Sequence, residues 1–296
     1  MTLQQAFDNF IFSRRIQGLA DKSIDCYMSF IKPFMVHIGS EIDISMINRD
    51  LVNAYIEKLL KRPISRATVA TYVRHIKIFL KWIEEEYEFC IQADKIKVPK
   101  TPKKVLHIYT DDEIRRIFDS VRANDEWIRL RNCCAIALML DSGLRQNEVC
   151  TLQRADINFQ SGTMKICGKG NKERVVPFGK ITRHYMTLYD SLCPYHEEYF
   201  LVSRSGNRLT TNAVKLFIQK IAKNLPFPFS SHKLRHNFAT NYCINQYEQK
   251  GSVDIYSLML LMGHEDVETT QRYLHFAQQI IATKSSISHL DKLLIS

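Results

Sequence analysis

Two apolar runs, each stopped by a glycine, constrain this chain more than any other feature. Cys133 to Leu140 reads as a buried helix, with Gly143 as its stop. Ile255 to Met262 reads as a second apolar helix, and Gly263 suits its end. Polar, reactive side chains follow each stop. After the first, Arg145 begins a new helical turn, and Glu148 lies three residues on, close enough to reach back and hold Arg145 in one rotamer. After the second comes His264, and Tyr273 lies nine residues further along.

A third reactive group opens the same C-terminal region. In His232-Lys-Leu-Arg-His236, a helix would place His232 and Arg235 on one face. The inventory from His232 to Tyr273 is imidazole, guanidinium and phenol, with no carboxylate placed for general-base work and no Gly-rich phosphate loop. That set suits chemistry on a phosphodiester already present in a polymer. Arginine presents a planar fork of donors that matches phosphate oxygens. Histidine accepts or donates a proton near neutral pH. Tyrosine can be a covalent nucleophile, although ionising a phenol of pKa ~10 at pH 7 costs roughly 4 kcal/mol. A further cluster, Cys167-Gly-Lys169-Gly-Asn-Lys-Glu-Arg174, lies between the strand-like runs Thr163–Ile166 and Arg174–Pro177. Gly170-Asn171 is hairpin chemistry, and a lysine at such a tip can swing into a groove and deliver a proton.

Gly-Leu-Arg-x-x-Glu, Gly-Lys-Gly-x-Lys-x-Arg, His-x-Leu-Arg-His, then Gly-His with a tyrosine nine residues later, occur here in that order. Together they resemble the tyrosine recombinase, or phage integrase, family, with Xer-type members and mobile-element integrases nearest in layout. The resemblance implies that Arg145 and Arg235 clamp the scissile phosphate and that Lys169 protonates the departing 5′ oxygen. It implies that His232 takes the proton of Tyr273, and that His264 donates a hydrogen bond to the phosphate. Tyr273 would form a 3′-phosphotyrosyl bond. Glu148 and His236 would support the site, His236 as a buried histidine. Small departures are Met262 before Gly-His, Asn237 in place of a frequent threonine, and a longer stretch from Asn245 to Ser252. No metal and no cofactor are expected, because cations stabilise the pentacoordinate state and one phosphodiester is exchanged for another. The expected partner is double-stranded DNA with inverted-repeat sites, bound by four protomers.

The 296 residues suit two domains, and the expected fold is mostly α. Residues 1 to about 90 read as four helices, forming in the resemblance a core-binding domain. Thr2 caps the first, Asp21 or Ser23 opens the second with Pro33 as a kink or boundary, Asn48 begins the third, and the fourth runs from about Ser65 to Tyr87. Arg66, Arg74, Lys77 and Lys81 stripe that fourth helix. They read either as a solvated face or as a phosphate-tracking one. Residues 91–108, with Pro99, Pro102 and five lysines, read as an extended basic linker. Residues 109–296 begin at the capping box Thr110–Glu113 and form a mainly helical catalytic domain with a small antiparallel sheet. The amphipathic tail from Ile287 to Leu294 packs either on its own domain or on a neighbouring protomer.

Net charge is +10, which favours polyanions. No apolar run nears ~20 residues, so no membrane span is expected. The N-terminus does not read as a signal peptide. Eight cysteines without a C-x-x-C pair suggest a reduced, cytoplasmic protein. Three rivals stand beside the recombinase. His232 and His236 have a zinc spacing, but Lys233 stands where a zinc protease helix carries its glutamate. A type IB topoisomerase would share the tyrosine chemistry. A catalytically silent DNA-binding regulator would not need all six reactive positions filled.

Overall fold

The computed structural model describes residues 1–89, 91–101, 107–168 and 172–285. Lys169, the Gly170-Asn171 turn and the tail from Ile287 lie outside the described residues. The chain divides into two units, Met1–Lys104 and Val105–Ser296. Each is described by itself.

The first unit holds four helices, and side-chain caps set where three of them start. The Thr2 hydroxyl accepts from the Gln5 amide at 3.2 Å, and the Gln5 carboxamide accepts from the Thr2 amide at 3.0 Å, opening α1 (Leu3–Ile16). After α2 (Asp21–Ile38), the Asn48 side chain accepts from the amides of Asp50 and Leu51, opening α3 (Arg49–Leu60). Ser65 does the same for Thr68 at the start of α4 (Arg66–Tyr87). Their apolar stripes meet in an aromatic core. The rings of Phe7 and Phe10 lie 5.7 and 5.2 Å from Phe79, all fully enclosed. Each such ring contributes about 1.5–3 kcal/mol by leaving water.

Of the two alternatives for Pro33, the boundary falls, because α2 runs through it. Its neighbours Ile31, Phe34 and Met35 are buried, and that packing outweighs the hydrogen bond a proline removes. The extended tether expected from residue 91 does not begin there. Ile91, Ala93 and Ile96 are buried in this same core, with Val98 packed against it. A short 3-10 turn, Ala93–Lys95, is pinned by the Ala93 amide, which donates to the Glu84 carboxylate at 3.1 Å. Two isoleucines among the lysines were the apolar signal.

The second unit is built round α6 (Glu126–Asp141), every side chain of which is buried from Leu130 to Met139. Even Arg131 is enclosed, donating to Asn132 and to the Val202 carbonyl at 2.9 Å. Before it, Thr110 and Glu113 form the capping box that opens α5 (Asp111–Asp119). After it, Gly143 turns the chain with φ +65°, and α7 (Gln146–Thr151) follows. A three-stranded antiparallel sheet comes next: β1 (Ile157–Asn158), β2 (Thr163–Cys167) and β3 (Glu173–Pro177), in the order β1-β2-β3. The two-residue β1 was not anticipated. Met164, Ile166 and Val176 turn inward from this sheet. Then come α8 (Lys180–Leu192), α9 (Thr211–Ala222), α10 (Ser231–Lys250), α11 (Ile255–Met262) and α12 (Val267–Ser285).

The long stretch Asn245 to Ser252 is absorbed as the last turns of α10, closed by Gly251 at φ +70°. Helices α10, α11 and α12 share a small core of their own. It holds Ala239, Cys243, Leu258, Met262, Tyr273 and Ala277 among others.

Candidate active site

Glu148 is the centre of charge of the site. It is 4 % exposed. Arg145 precedes α7, and its amide donates to one Glu148 oxygen at 2.7 Å while Nη1 donates to the other at 2.9 Å. Arg174, on the inward face of β3, places Nη1 and Nη2 on the two oxygens at 2.8 Å each, a bidentate pair. A third guanidinium, Arg235 on α10, stands 4.0 Å away. Burial pushes the Glu148 carboxyl up, but the Arg174 and Arg145 pairings outweigh it and hold the group below its ordinary value. Burial and the neighbouring Arg145 lower Arg235 to about 10, so it remains a cation at neutral pH.

The same three guanidiniums cap one helix. The last carbonyls of an α-helix have no partner within it and form the negative end of its dipole. Arg174 Nε donates to the Leu261 carbonyl at 2.9 Å, Arg235 Nη2 to that of Met262, and Arg145 Nη2 to that of Gly263 at 2.7 Å. Arg235 Nη1 also donates to the Gly143 carbonyl beyond the end of α6. Both glycine stops read from the sequence therefore present a backbone oxygen to an arginine. A cleft of about 600 Å³ opens beside this arrangement, lined by Arg145, Lys172, Arg174, His264 and Thr269 among others.

His264 follows the α11 stop. A guanidinium can only donate, so Arg235 Nη2, 3.2 Å away, makes His264 Nε2 an acceptor. The proton then sits on Nδ1, which donates to the buried Thr270 hydroxyl at 2.8 Å. Burial, then Arg235 and Arg145, lower His264 to about 4.

Tyr273 on α12 is 3 % exposed. Its hydroxyl lies 2.7 Å from Nδ1 of His236. The resemblance gives this proton to His232; the hydrogen-bond partner of the phenol at rest is His236. One helical turn along α10 aims His236, not His232, at α12. The two imidazoles meet edge to face with centroids 4.1 Å apart. Among the described residues, no group of three or more His, Cys, Asp and Glu side chains forms a metal cluster. Burial raises the Tyr273 phenol against the pull of Arg272, Arg235 and Arg145. Burial and His232 lower His236 to about 4. Burial, then Arg235 and Arg272, lower His232 as well. Burial thus raises the phenol and lowers the imidazole, and both shifts oppose moving the proton from Tyr273 to His236. This is a resting arrangement, with a protonated nucleophile parked against a neutral imidazole.

Of the residues nominated from sequence, Arg145, Glu148, Arg235, His236, His264 and Tyr273 come together in one connected set, and His232 borders it. Lys169 lies outside the described residues. Arg174 and Thr270 were not singled out. Arg174 is two residues from Val176 on the buried side of β3, so strand alternation was the available signal. On α4, Arg66 and Arg74 are exposed. Lys77 donates to the Asp94 carbonyl at 2.9 Å, and Lys81 lies 3.5 Å from the Asp94 carboxylate. Half of the cationic stripe is thus already engaged by its own unit.

The chain is similar to known proteins over most of its length. Residues 108–279 match the phage integrase family, and residues 6–88 match the phage integrase N-terminal SAM-like domain. A tyrosine recombinase XerC of Chlamydia muridarum is 30% identical over 256 residues, covering 82% of this chain and 77% of the relative. A lambda integrase dimer bound to a COC′ core site shares the fold with a TM-score of 0.75, at 18% identity over 93% of this chain and 95% of that one. A lambda integrase tetramer bound to a Holliday junction has a TM-score of 0.71 at 18% identity, covering 90% and 78% respectively. With over half its length matched by the family's catalytic region and most of the remainder by its N-terminal one, this chain belongs to the phage integrase family of tyrosine recombinases.

Proposed function

We propose that Tyr273 attacks a phosphorus in the backbone of double-stranded DNA, forming a 3′-phosphotyrosyl bond and releasing a 5′-hydroxyl. The chain is a tyrosine-type site-specific recombinase. In each step one P–O bond forms and one breaks, so bond energy is kept and rejoining is the reverse attack. Arg145 and Arg235 hold the non-bridging oxygens and offset the charge that builds there. The phenol proton passes to an imidazole of α10, His232 in the reactive arrangement, with His236 the partner at rest. Lys169 protonates the departing oxygen. His264 donates to the phosphate from Nε2 once the arriving negative charge raises its proton affinity.

One observation carries this reading. Arg145, Arg235, His264 and Tyr273 come from four separate stretches of chain, yet hydrogen bonds join the first three through the end of α11, while Tyr273 is hydrogen-bonded to His236, the neighbour of Arg235 on α10, and stacks on His264 with centroids 6.2 Å apart. In the same reading, residues 1–90 hold one side of the duplex, with Arg66, Arg74, Lys77 and Lys81 on phosphates. The segment beyond Val98 joins them to the catalytic region, 109–296. Four protomers pair two sites of inverted repeats in the cytoplasm. No metal or cofactor takes part, so chelators leave cleavage intact.

The test is Tyr273→Phe on a nicked duplex site. DNA binding should persist while the denaturing-gel adduct disappears, and an adduct formed by the variant would overturn the assignment. Broad relaxation of a supercoiled plasmid lacking the site would favour topoisomerase action instead.

A further inference from the structure

We propose that Arg174 is a positioning residue for strand cleavage, setting the two halves of the phosphate clamp through Glu148 and through the last turn of α11. The proposal rests on the reaction described above and concerns a residue that the reaction itself does not use.

Arg174 has its donors turned inward. Its side chain is 11% exposed. Nη1 and Nη2 take both oxygens of Glu148, and Nε takes the Leu261 carbonyl. All three nitrogens are engaged by the protein, and two of them are committed to a single carboxylate. Both arginines line the cleft, but Arg145 is the more open of the two, with a side chain 38% exposed.

The geometry shows what Arg174 does for its neighbours. Glu148 has two oxygens and three guanidiniums within 4.0 Å. Were Arg174 absent, the carboxylate would be drawn further onto Arg145 and Arg235, and their donors would turn away from the cleft. With Arg174 present, both oxygens are engaged. Arg145 needs only Nη1 and its amide for Glu148 and sends Nη2 to Gly263. The Nε contact fixes Leu261, three residues before His264, so the same side chain sets both Arg145 and the turn that carries the imidazole.

Gly263 records how tightly these parts meet. It has φ +60°, and a Cβ there would lie 3.1 Å from Arg174 Nη1 and 3.3 Å from Arg145 Nη1. A lysine could not copy this role, since one ammonium cannot span a carboxylate in plane while also reaching a carbonyl behind it.

The test compares two scissile linkages within one protein preparation. The duplex is recovered from a random-sequence pool by the adduct it forms with the native chain. It is then made with an ordinary phosphodiester or with a neutral methylphosphonate at the scissile position. The neutral linkage carries less charge for the arginines to offset, so misplacing them costs less. Single-turnover adduct formation by Arg174→Met should fall about 100-fold on the phosphodiester and less than about 10-fold on the methylphosphonate, with DNA affinity held within about threefold. Arg174→Lys should recover little of the loss. Each variant's ratio between linkages is unaffected by any unfolded fraction. Equal deficits on the two linkages, a phosphodiester rate within about threefold of native, or full recovery in Arg174→Lys would overturn the proposal. Tyr273→Phe is run beside them, and an adduct in that lane would instead overturn the underlying reaction.

Discussion

Replacing Glu148 by glutamine tests how the resting site balances its charge. The substitution keeps shape and volume and removes one negative charge from among Arg145, Arg174 and Arg235. The Arg174 pair is enclosed on both sides, at 11% and 4% exposure, and breaking such a pair by removing one partner costs about 3–5 kcal/mol. The Arg145 pair is 38% exposed on the arginine side, so water screens it and it adds no more than about 1 kcal/mol. For a unit of this size each kcal/mol moves the melting temperature by about 2–4 °C, so calorimetry should show a fall of roughly 6–20 °C. An anion can supply the missing charge by binding the uncovered guanidiniums. Sulfate, or a short DNA duplex, should therefore raise the melting temperature of the variant more than that of the native chain. A fall smaller than about 3 °C, or a deficit that sulfate leaves unchanged, would refute the assignment of Glu148 as the counter-charge.

Acid should destabilise the fold through its buried imidazoles. His236 and His264 are held to about 4, while the unfolded chain titrates near 6.5. Between those values the unfolded state binds more protons, so stability is complete above about pH 6.5 and falls towards pH 4. His236 alone accounts for on the order of 3 kcal/mol. Urea midpoints at pH 7.5, 6 and 5 check this, and the slope should shrink in His236→Gln. Gly143→Ala should cost about 2–5 kcal/mol, since φ +65° disfavours a side chain and a Cβ would collide with the Phe238 ring. Its cleavage rate should fall with stability because the Gly143 carbonyl holds Arg235, and an unchanged melting curve would count against it. Asn237→Leu removes a fully buried side chain that accepts from the Tyr109 amide at 2.6 Å and donates to the His107 carbonyl at 3.1 Å. Hydrogen exchange at Tyr109 should accelerate by ten-fold or more, about 1–3 kcal/mol of lost protection, and unchanged exchange would show that the side chain does not hold that amide.

Local chemistry was the legible part of the sequence. Thr2, Asn48, Ser65 and Thr110 each announce a helix start because a hydroxyl or carboxamide oxygen substitutes for a missing acceptor within a few residues. Gly263 announces a stop for a similar reason. Arg145 and Glu148 could be paired because they are three residues apart. What escaped depends on distance in the chain. The partner of Tyr273 lies 37 residues away, and two imidazoles one turn apart on α10 are equally plausible candidates until α12 is docked. Arg174 finds Glu148 across 26 residues, visible beforehand only as an inward position on a strand. Ile91 and Ile96 looked like part of a lysine-rich tether because five basic residues set the local character. Pro33 left a kink and a boundary both open because local propensity does not count the buried neighbours that keep its helix intact. Asn237 was noted only as a departure from a frequent threonine, yet it fastens the segment His107–Tyr109, which leads into α5, to α10.

The grip of three arginines on Leu261, Met262 and Gly263 has an evolutionary corollary. What they grasp is main chain, and successive carbonyls of a helix step by about 1.5 Å and 100° whatever side chains they bear. The separation of Arg174 and Arg235 is thus inherited from helical pitch, and that of Arg145 from the left-handed turn at Gly263 that ends the helix. Tyr256 and Leu260, on the outward side of α11 at 64% and 66% exposure, can drift and take on new neighbours while that separation holds. An inserted residue or a proline in the final turn would change it at once.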